Sequence, residues 1–431
     1  MKTIKTAKKQ KLKESKGITL IALVITIIVL LILAGVAIAT LTGENGVLTK
    51  AKSAKTQTEQ TKEDENLKIA IAGSYGTDGK LNLEDLKKNL KNQEIDYDKN
   101  NTGFPLEVTV NGEKKKIDAN GNIIESIQGL KTKGTVFKDT TTLEDTFGNQ
   151  VKVPKGFKIA SDSATEVTGG IVIEDATYTN TIGSQFVWIP VGTGENAIKK
   201  ANNGTVDIKL SRYTFANDGT PTDQGDNIIN SRHQELATSN YGNATAKNIE
   251  GFKTSANSNH GYYIGRYEAG KTGDNGFVVC KSGQEVWNNV TQPKASELSK
   301  NMYGSEAKVT SDLINSYAWD TAILFIQKCG TESNSSTYSY TAGQSSTSIS
   351  APQTTGTNIL KATSKVDKQC NIFDMAGNCR EWTTETQSPS SFPCVGRGGY
   401  YNGDYLYTSH RNGYDASYAF SHGSFRPLLY L

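Results

Sequence analysis

The chain has 431 residues, enough for two or three domains at the usual ~100 to 200 residues each, and a formal net charge of only +3. That balance hides a lysine-rich start, Lys2, Lys5, Lys8, Lys9, Lys11, Lys13 and Lys16 against Glu14. After it the one basic run is Lys114-Lys115-Lys116, a pattern that argues against nucleic acid as a partner. Five cysteines are too few for a disulfide scaffold.

From Gly17 to Gly43 no side chain is charged. As a helix, the stretch from Ile18 to Leu41 would rise about 36 Å, against a hydrocarbon core of about 30 Å. The sequence therefore predicts a single-pass membrane protein, N-terminus cytoplasmic beside the lysines and C-terminal domain extracellular. The junction Lys16-Gly17-Ile18-Thr19-Leu20-Ile21 resembles the type III signal of type IV prepilins and pseudopilins, which a prepilin peptidase cuts after the glycine. The resemblance implies processing between Gly17 and Ile18, and other pilin-like subunits as further partners. That family usually carries glutamate at the fifth mature position, where this chain has Ala22, a departure that argues against polymerisation as a major fibre subunit.

Beyond Gly43-Glu44-Asn45-Gly46, the Lys/Gln/Glu-rich run from Val47 to about Ala72 reads as a solvated helix that continues the stalk. Residues 74–128 read as a small α+β spacer, with a short helix from Leu81 and a hairpin turned by Asn111-Gly112. Within it Asp96, Asp98, Asn100 and Glu107 fall on ligand positions of an EF-hand loop, so a structural calcium is a candidate there. Asn101 stands where that turn wants glycine, and the alternative is a polar turn before a strand.

After about Lys152 short apolar runs alternate with Gly/Asn/Ser/Thr turns. Gln185–Gly192 and Tyr262–Glu268 read as strands, Ile314–Lys328 as an amphipathic helix, and Thr331–Thr357 as a surface loop. Those two strands, with Asn371-Ile372-Phe373-Asp374-Met375-Ala376-Gly377-Asn378-Cys379-Arg380-Glu381-Trp382-Thr383, then Arg397-Gly398-Gly399-Tyr400, then Ser424-Phe425-Arg426-Pro427-Leu428-Leu429, resemble the formylglycine-generating-enzyme family. That likeness implies a variant of the C-type lectin fold over residues 129–431. The expected class is thus α+β: leader 1–17, transmembrane and stalk helix 18–73, spacer 74–128 and lectin-like head. In such a head Arg397, Arg411 and Arg426 would support the fold, tied by carboxylates such as Asp374 and Glu381.

The family's enzymes oxidise a cysteine using two active-site cysteines between the Arg-Gly-Gly motif and the final Phe-Arg. Here residues 400–424 contain none, so catalysis of that kind is not expected. His233, His260, His410 and His422 have no metal-ligand spacing, and no cofactor is expected. Cys379 and Cys394 could bridge, with Cys370 as a competing partner; the alternative is that all five cysteines are free thiols.

The segment from Tyr400 to Ser424 is dominated by Tyr, Ser, Gly, Asn, Asp and His, a palette that antibody loops use for contact. From Ser388 to Leu431 there is no Lys, Glu, Gln, Met or Trp, the residues that codons ending in a pyrimidine cannot encode. In this respect the chain resembles the target proteins of diversity-generating retroelements, which randomise adenines in such codons. The function expected is display of a non-enzymatic surface for a protein or glycan ligand, with Tyr401, Asn402, Asp404, Tyr405, Tyr407, His410, Tyr414, Asp415, Tyr418, Phe420 and His422 as contacts. The rivals are a minor pilin or pseudopilin and a divergent oxidase.

Overall fold

The computed structural model describes residues 47–127, 134–239, 241–272, 276–343, 350–361, 363–388, 391–403 and 406–431. They form two units, one running to Gly103 and including Val108–Glu113, the other made of Phe104–Glu107 and Lys114–Leu431.

In the first unit, helix α1 (Val47–Ala72) carries lysine and glutamate along most of its length. Near its end it buries Leu67, Ala70 and Ile71. Helix α2 (Leu83–Asn92) starts where the Asn82 side chain accepts from the Glu84 and Asp85 amides, satisfying donors that a first turn leaves orphaned, and it buries Leu86 and Leu90. Asn111 and Gly112 both have positive φ, 55° and 76°, the left-handed pair that a tight hairpin turn requires.

In the second unit, residues 115–117 pair antiparallel with the strand Ile123–Ser126, which runs parallel to Thr141–Glu144. Two larger sheets follow, built from β1 (Phe157–Ile159), β2 (Val172–Asp175), β3 (Gln185–Pro190), β4 (His233–Glu235), β5 (Gly261–Gly265), β6 (Thr310–Leu313), β7 (Arg380–Gln387), β8 (Cys394–Arg397), β9 (Arg411–Tyr414), β10 (Gly423–Phe425) and β11 (Pro427–Tyr430). The first has the order β6-β11-β5-β3-β2-β1, antiparallel throughout. Its inner strands β3 and β5 are near-continuous buried runs, as strands covered on both faces must be. The second has the order β4-β7-β8-β9, with β10 parallel to β7. Only Arg426 separates β10 from β11, so the chain passes from one sheet into the other at that residue.

Helices α3 (Ile249–Ser258), α4 (Gln292–Lys300) and α5 (Ser316–Cys329) pack on these sheets. Helix α5 is buried from Ser316 to Ile326 and is capped by Asn315, whose side chain accepts from the Ala318 amide. Trp188, Trp319, Trp382, Tyr262 and Tyr263 fill the core.

This corrects the expected class. The described residues are mostly β-sheet with few helices, and among them no helix is long and apolar enough to cross a membrane. The one long helix, α1, is too charged to face lipid. The expected single-pass localisation is corrected on the same finding. The Ile18–Leu41 stretch and the Gly17-Ile18 junction lie outside the described residues.

Candidate functional site

The C-terminal segment rests on a layer of buried ion pairs. Strand β7 contributes Glu385, fully buried, and α5 contributes Asp320, also fully buried. Arg397 at the end of β8 reaches both, 2.6 Å to Asp320 and 3.3 Å to Glu385. Arg411 at the start of β9 pairs with the same two carboxylates, and Arg212 adds a third guanidinium 3.3 Å from Glu385. Burial by itself would raise the Glu385 carboxyl; Arg411, Arg397 and Arg212 override it and hold it at about 2. Arg426, between β10 and β11, donates to Glu381 at 2.9 Å and to the Gly265 and Phe373 carbonyls. The expected Arg426–Glu381 tie is present, whereas Asp374 accepts from the Gly356 and Asn358 amides.

Above this layer lies an aromatic one. Tyr414, Tyr418 and Phe420 stack with ring centroids 4.8 to 5.5 Å apart. Trp382 meets Tyr414 and Phe420 edge-on, each at 5.3 Å. His422 stacks on Tyr400 at 4.0 Å and lies 4.6 Å from Phe420. Beneath them runs Arg380, the first residue of β7, 5.2 Å from the Tyr400 ring centre and 5.7 Å from that of Tyr414. Gly396 makes room for it: a Cβ there would lie 2.8 Å from the Arg380 side-chain carbons. Burial, and then Arg380, push both His410 and His422 down to about 4, so both imidazoles are neutral at pH 7.

The predicted contact residues thus divide. Tyr414, Tyr418, Phe420 and His422 come together in one stack, but Phe420 is 6% exposed and packs as core, while Tyr418 is 45% exposed. Tyr401 is buried too. Tyr407 stands in a separate pair, stacked on Tyr340 at 3.9 Å. Asn402 and Asp415 are exposed, the latter accepting from the Ser417 amide and hydroxyl. His410 is half-buried near Arg380. Asp404 and Tyr405 lie outside the described residues. Sequence reasoning did not place Tyr400, Tyr340 or Arg380 among the contacts; only the position of Arg380 in the Gly-Asn-Cys-Arg-Glu-Trp run could have drawn notice.

The other expected sites resolve differently. Cys379 and Cys394 are free and buried. Arg397 pairs with Glu381; along the strands Cys394 lies three residues to one side of that pair and Cys379 two to the other, so strand rise puts the two about 16 Å apart, far beyond disulfide reach. For the calcium candidate, Asp98 caps the Asn100 amide, Asn101 caps the Gly103 amide, and Glu107 pairs with Lys114 at 2.6 Å. Among the described residues no group of three or more His, Cys, Asp or Glu side chains could hold a metal. Two clefts lie away from the stack, one of about 190 Å³ between Asn149 and His260, the other of about 290 Å³ beside Cys329 and Cys370.

The sequence matches no protein-family model and none of the curated proteins. Among solved structures the chain is similar to Treponema denticola variable protein 1, at 14% identity and a TM-score of 0.30, over 59% of this chain and 98% of that one.

Proposed function

We propose that this chain is a non-enzymatic binding protein whose segment 400–424 presents a variable contact surface to a protein or glycan ligand. The observation that carries the reading is the division of labour within that segment. Its backbone is fixed by buried ion pairs, of Arg411 within it and of Arg397 and Arg426 on either side, to Glu385, Asp320 and Glu381. Its exposed positions, Asn402, Asp415, Ser417, Tyr418, Ala419 and Ser421, take little part in the core, so substitution there leaves the fold in place. Tyrosines half-exposed over a rigid base supply contact area at low entropic cost. The missing Lys, Glu, Gln, Met and Trp between Ser388 and Leu431 fit a segment written in codons that end in a pyrimidine.

The thiols support a non-catalytic reading. Burial pushes Cys280 and Cys394 up to about 12, and Cys379 well above its ordinary value, so at neutral pH these cysteines are protonated and poor nucleophiles.

Protein and glycan arrays probed with the full chain, and with an Asn402→Ala/Tyr418→Ala variant at two exposed positions, test the reading. Wild-type hits that the variant loses at an unchanged melting temperature are expected. Hits that survive in the variant would place the binding surface elsewhere. Sequencing the locus tests the variability: an adenine-biased copy of the segment beside a reverse transcriptase is expected, and a locus with neither ends that part of the proposal.

A further inference from the structure

Arg380 differs from every other arginine buried as deeply. Arg212, Arg266, Arg397 and Arg426 each have a carboxylate oxygen within 3.3 Å, on Glu385, Asp162, Asp320 and Glu381 respectively. Arg380 is 2% exposed, and its hydrogen-bond partners are neutral: the Gly398 carbonyl at 3.3 Å, the Tyr414 hydroxyl at 2.5 Å and the His410 Nδ1 at 3.5 Å. Among the described residues it makes no ion pair. A buried charge without a counter-charge is costly, and here it lies directly beneath the aromatic stack.

The hydrogen-bond chemistry gives this charge an outlet. A guanidinium only donates, so the Tyr414 oxygen accepts from it and the phenol hydrogen remains available to a further acceptor. By the same logic His410 accepts at Nδ1, which in the neutral ring assigns its proton to Nε2. Both groups are polarised by the adjacent cation, which strengthens each as a donor. His410 and His422 titrate near 4 and so add no positive charge of their own at pH 7.

We propose that the surface takes its ligand by a carboxylate, with the Tyr414 hydroxyl and the His410 imidazole as donors and Arg380 as the buried counter-charge. This rests on the binding-surface reading above and names the ligand chemistry of that same surface. One cation and two donors match a monoanion with two oxygens. The carboxylate could come from an acidic side chain of a protein or from an acidic sugar.

Thermal melts of the full chain at pH 7 in sodium benzoate and in benzamide, at matched ionic strength, test the proposal. Benzoate should bind at least about tenfold tighter than its neutral isostere, seen as a melt raised by about 2 to 4 °C at ligand well above Kd. Arg380→Gln should abolish the preference, and if that variant does not fold, Tyr414→Phe, which keeps the ring and removes the donor, should reduce it. Equal shifts from the two compounds, no shift from either, or a preference retained in Arg380→Gln would each overturn the proposal. Equal shifts that Tyr418→Ala removes would leave the binding-surface reading standing while the charge inference falls. Competition of benzoate by a polyglutamate peptide or by a galacturonate oligomer then separates the protein source from the sugar source.

Discussion

Two arginine environments sit under the same C-terminal segment, and they are built to opposite rules. Around Glu385 and Asp320 three guanidiniums meet two carboxylates, every partner is within hydrogen-bond reach, and the cluster is closed to water. Around Arg380 the neighbours are phenol, imidazole and ring faces, and the charge has no partner of opposite sign among the described residues. In the first arrangement each guanidinium has a carboxylate of the fold within reach, so its charge is spent on holding the fold. The second leaves capacity unused at a surface, which is what a binding site requires.

The hardest break of that contrast is Glu385→Gln. It removes the shared negative charge, leaving Arg397 and Arg411 against Asp320 alone and Arg212 with no carboxylate, a loss of roughly 3 to 5 kcal/mol by analogy with other broken buried pairs. Urea denaturation reads it directly, and a loss below about 1 kcal/mol would show that the cluster contributes no net stability. Phe420→Ala comes next. Its ring touches Trp382, Tyr414, Tyr418 and His422, so truncation opens a cavity and should cost about 3 kcal/mol. A near-neutral result would return Phe420 to the contact surface.

How far the sequence reached depends on which kind of side chain filled the core. Apolar periodicity found β3, β5 and the helix α5, and the Asn111-Gly112 dipeptide found its turn, because each rests on local chemistry. Strand β7 escaped: Thr383, Thr384, Glu385 and Thr386 are all buried, and a polar run on the inside carries no hydrophobic signature. Asp320 was missed for the same reason, a carboxylate within an otherwise apolar helix whose meaning lies in arginines 77 and 91 residues away. Composition marked residues 400–424 as peculiar yet could not say which tyrosines face out. Tyr401 and Phe420 were taken for contacts and are packed, while Tyr400 and Arg380 were passed over. The apolar Ile18–Leu41 stretch suggested a membrane span, yet among the described residues no helix meets that condition.

Acid should separate the two environments further. His410 and His422 are held at about 4 in the fold and titrate near 6.5 when unfolded, so their contribution is complete above pH 6.5 and is lost as pH falls toward 4. Glu385 at about 2 is also a depressed group, but its contribution begins to fade only below the ordinary glutamate range, near 4.5, and persists toward pH 2. Burial holds His233 on β4 at about 4 as well, so hydrogen exchange between pH 6.5 and 4.5 should loosen residues 400–422 and β4 before β7 and β8. A His410→Phe/His422→Phe variant should flatten that window for residues 400–422, and leave it at β4 and the loss below pH 4.5 intact. Simultaneous loosening of both regions would mean that the histidines do not set the difference.

The smallest expected effect is the most discriminating. Tyr418 stacks on Tyr414 and Phe420 yet remains 45% exposed, so most of what alanine removes is already in water. Tyr418→Ala should change stability by no more than about 0.5 kcal/mol, the range of surface substitutions, while removing a large share of ligand affinity if the stack is the contact face. Paired with Phe420→Ala it forms a direct comparison: two aromatic neighbours, ring centres 4.9 Å apart, one holding the fold and the other available to a partner. A Tyr418→Ala variant that loses as much stability as Phe420→Ala would make the whole stack core. The exposed surface of the segment would then reduce to Asn402, Asp415 and the small residues around them.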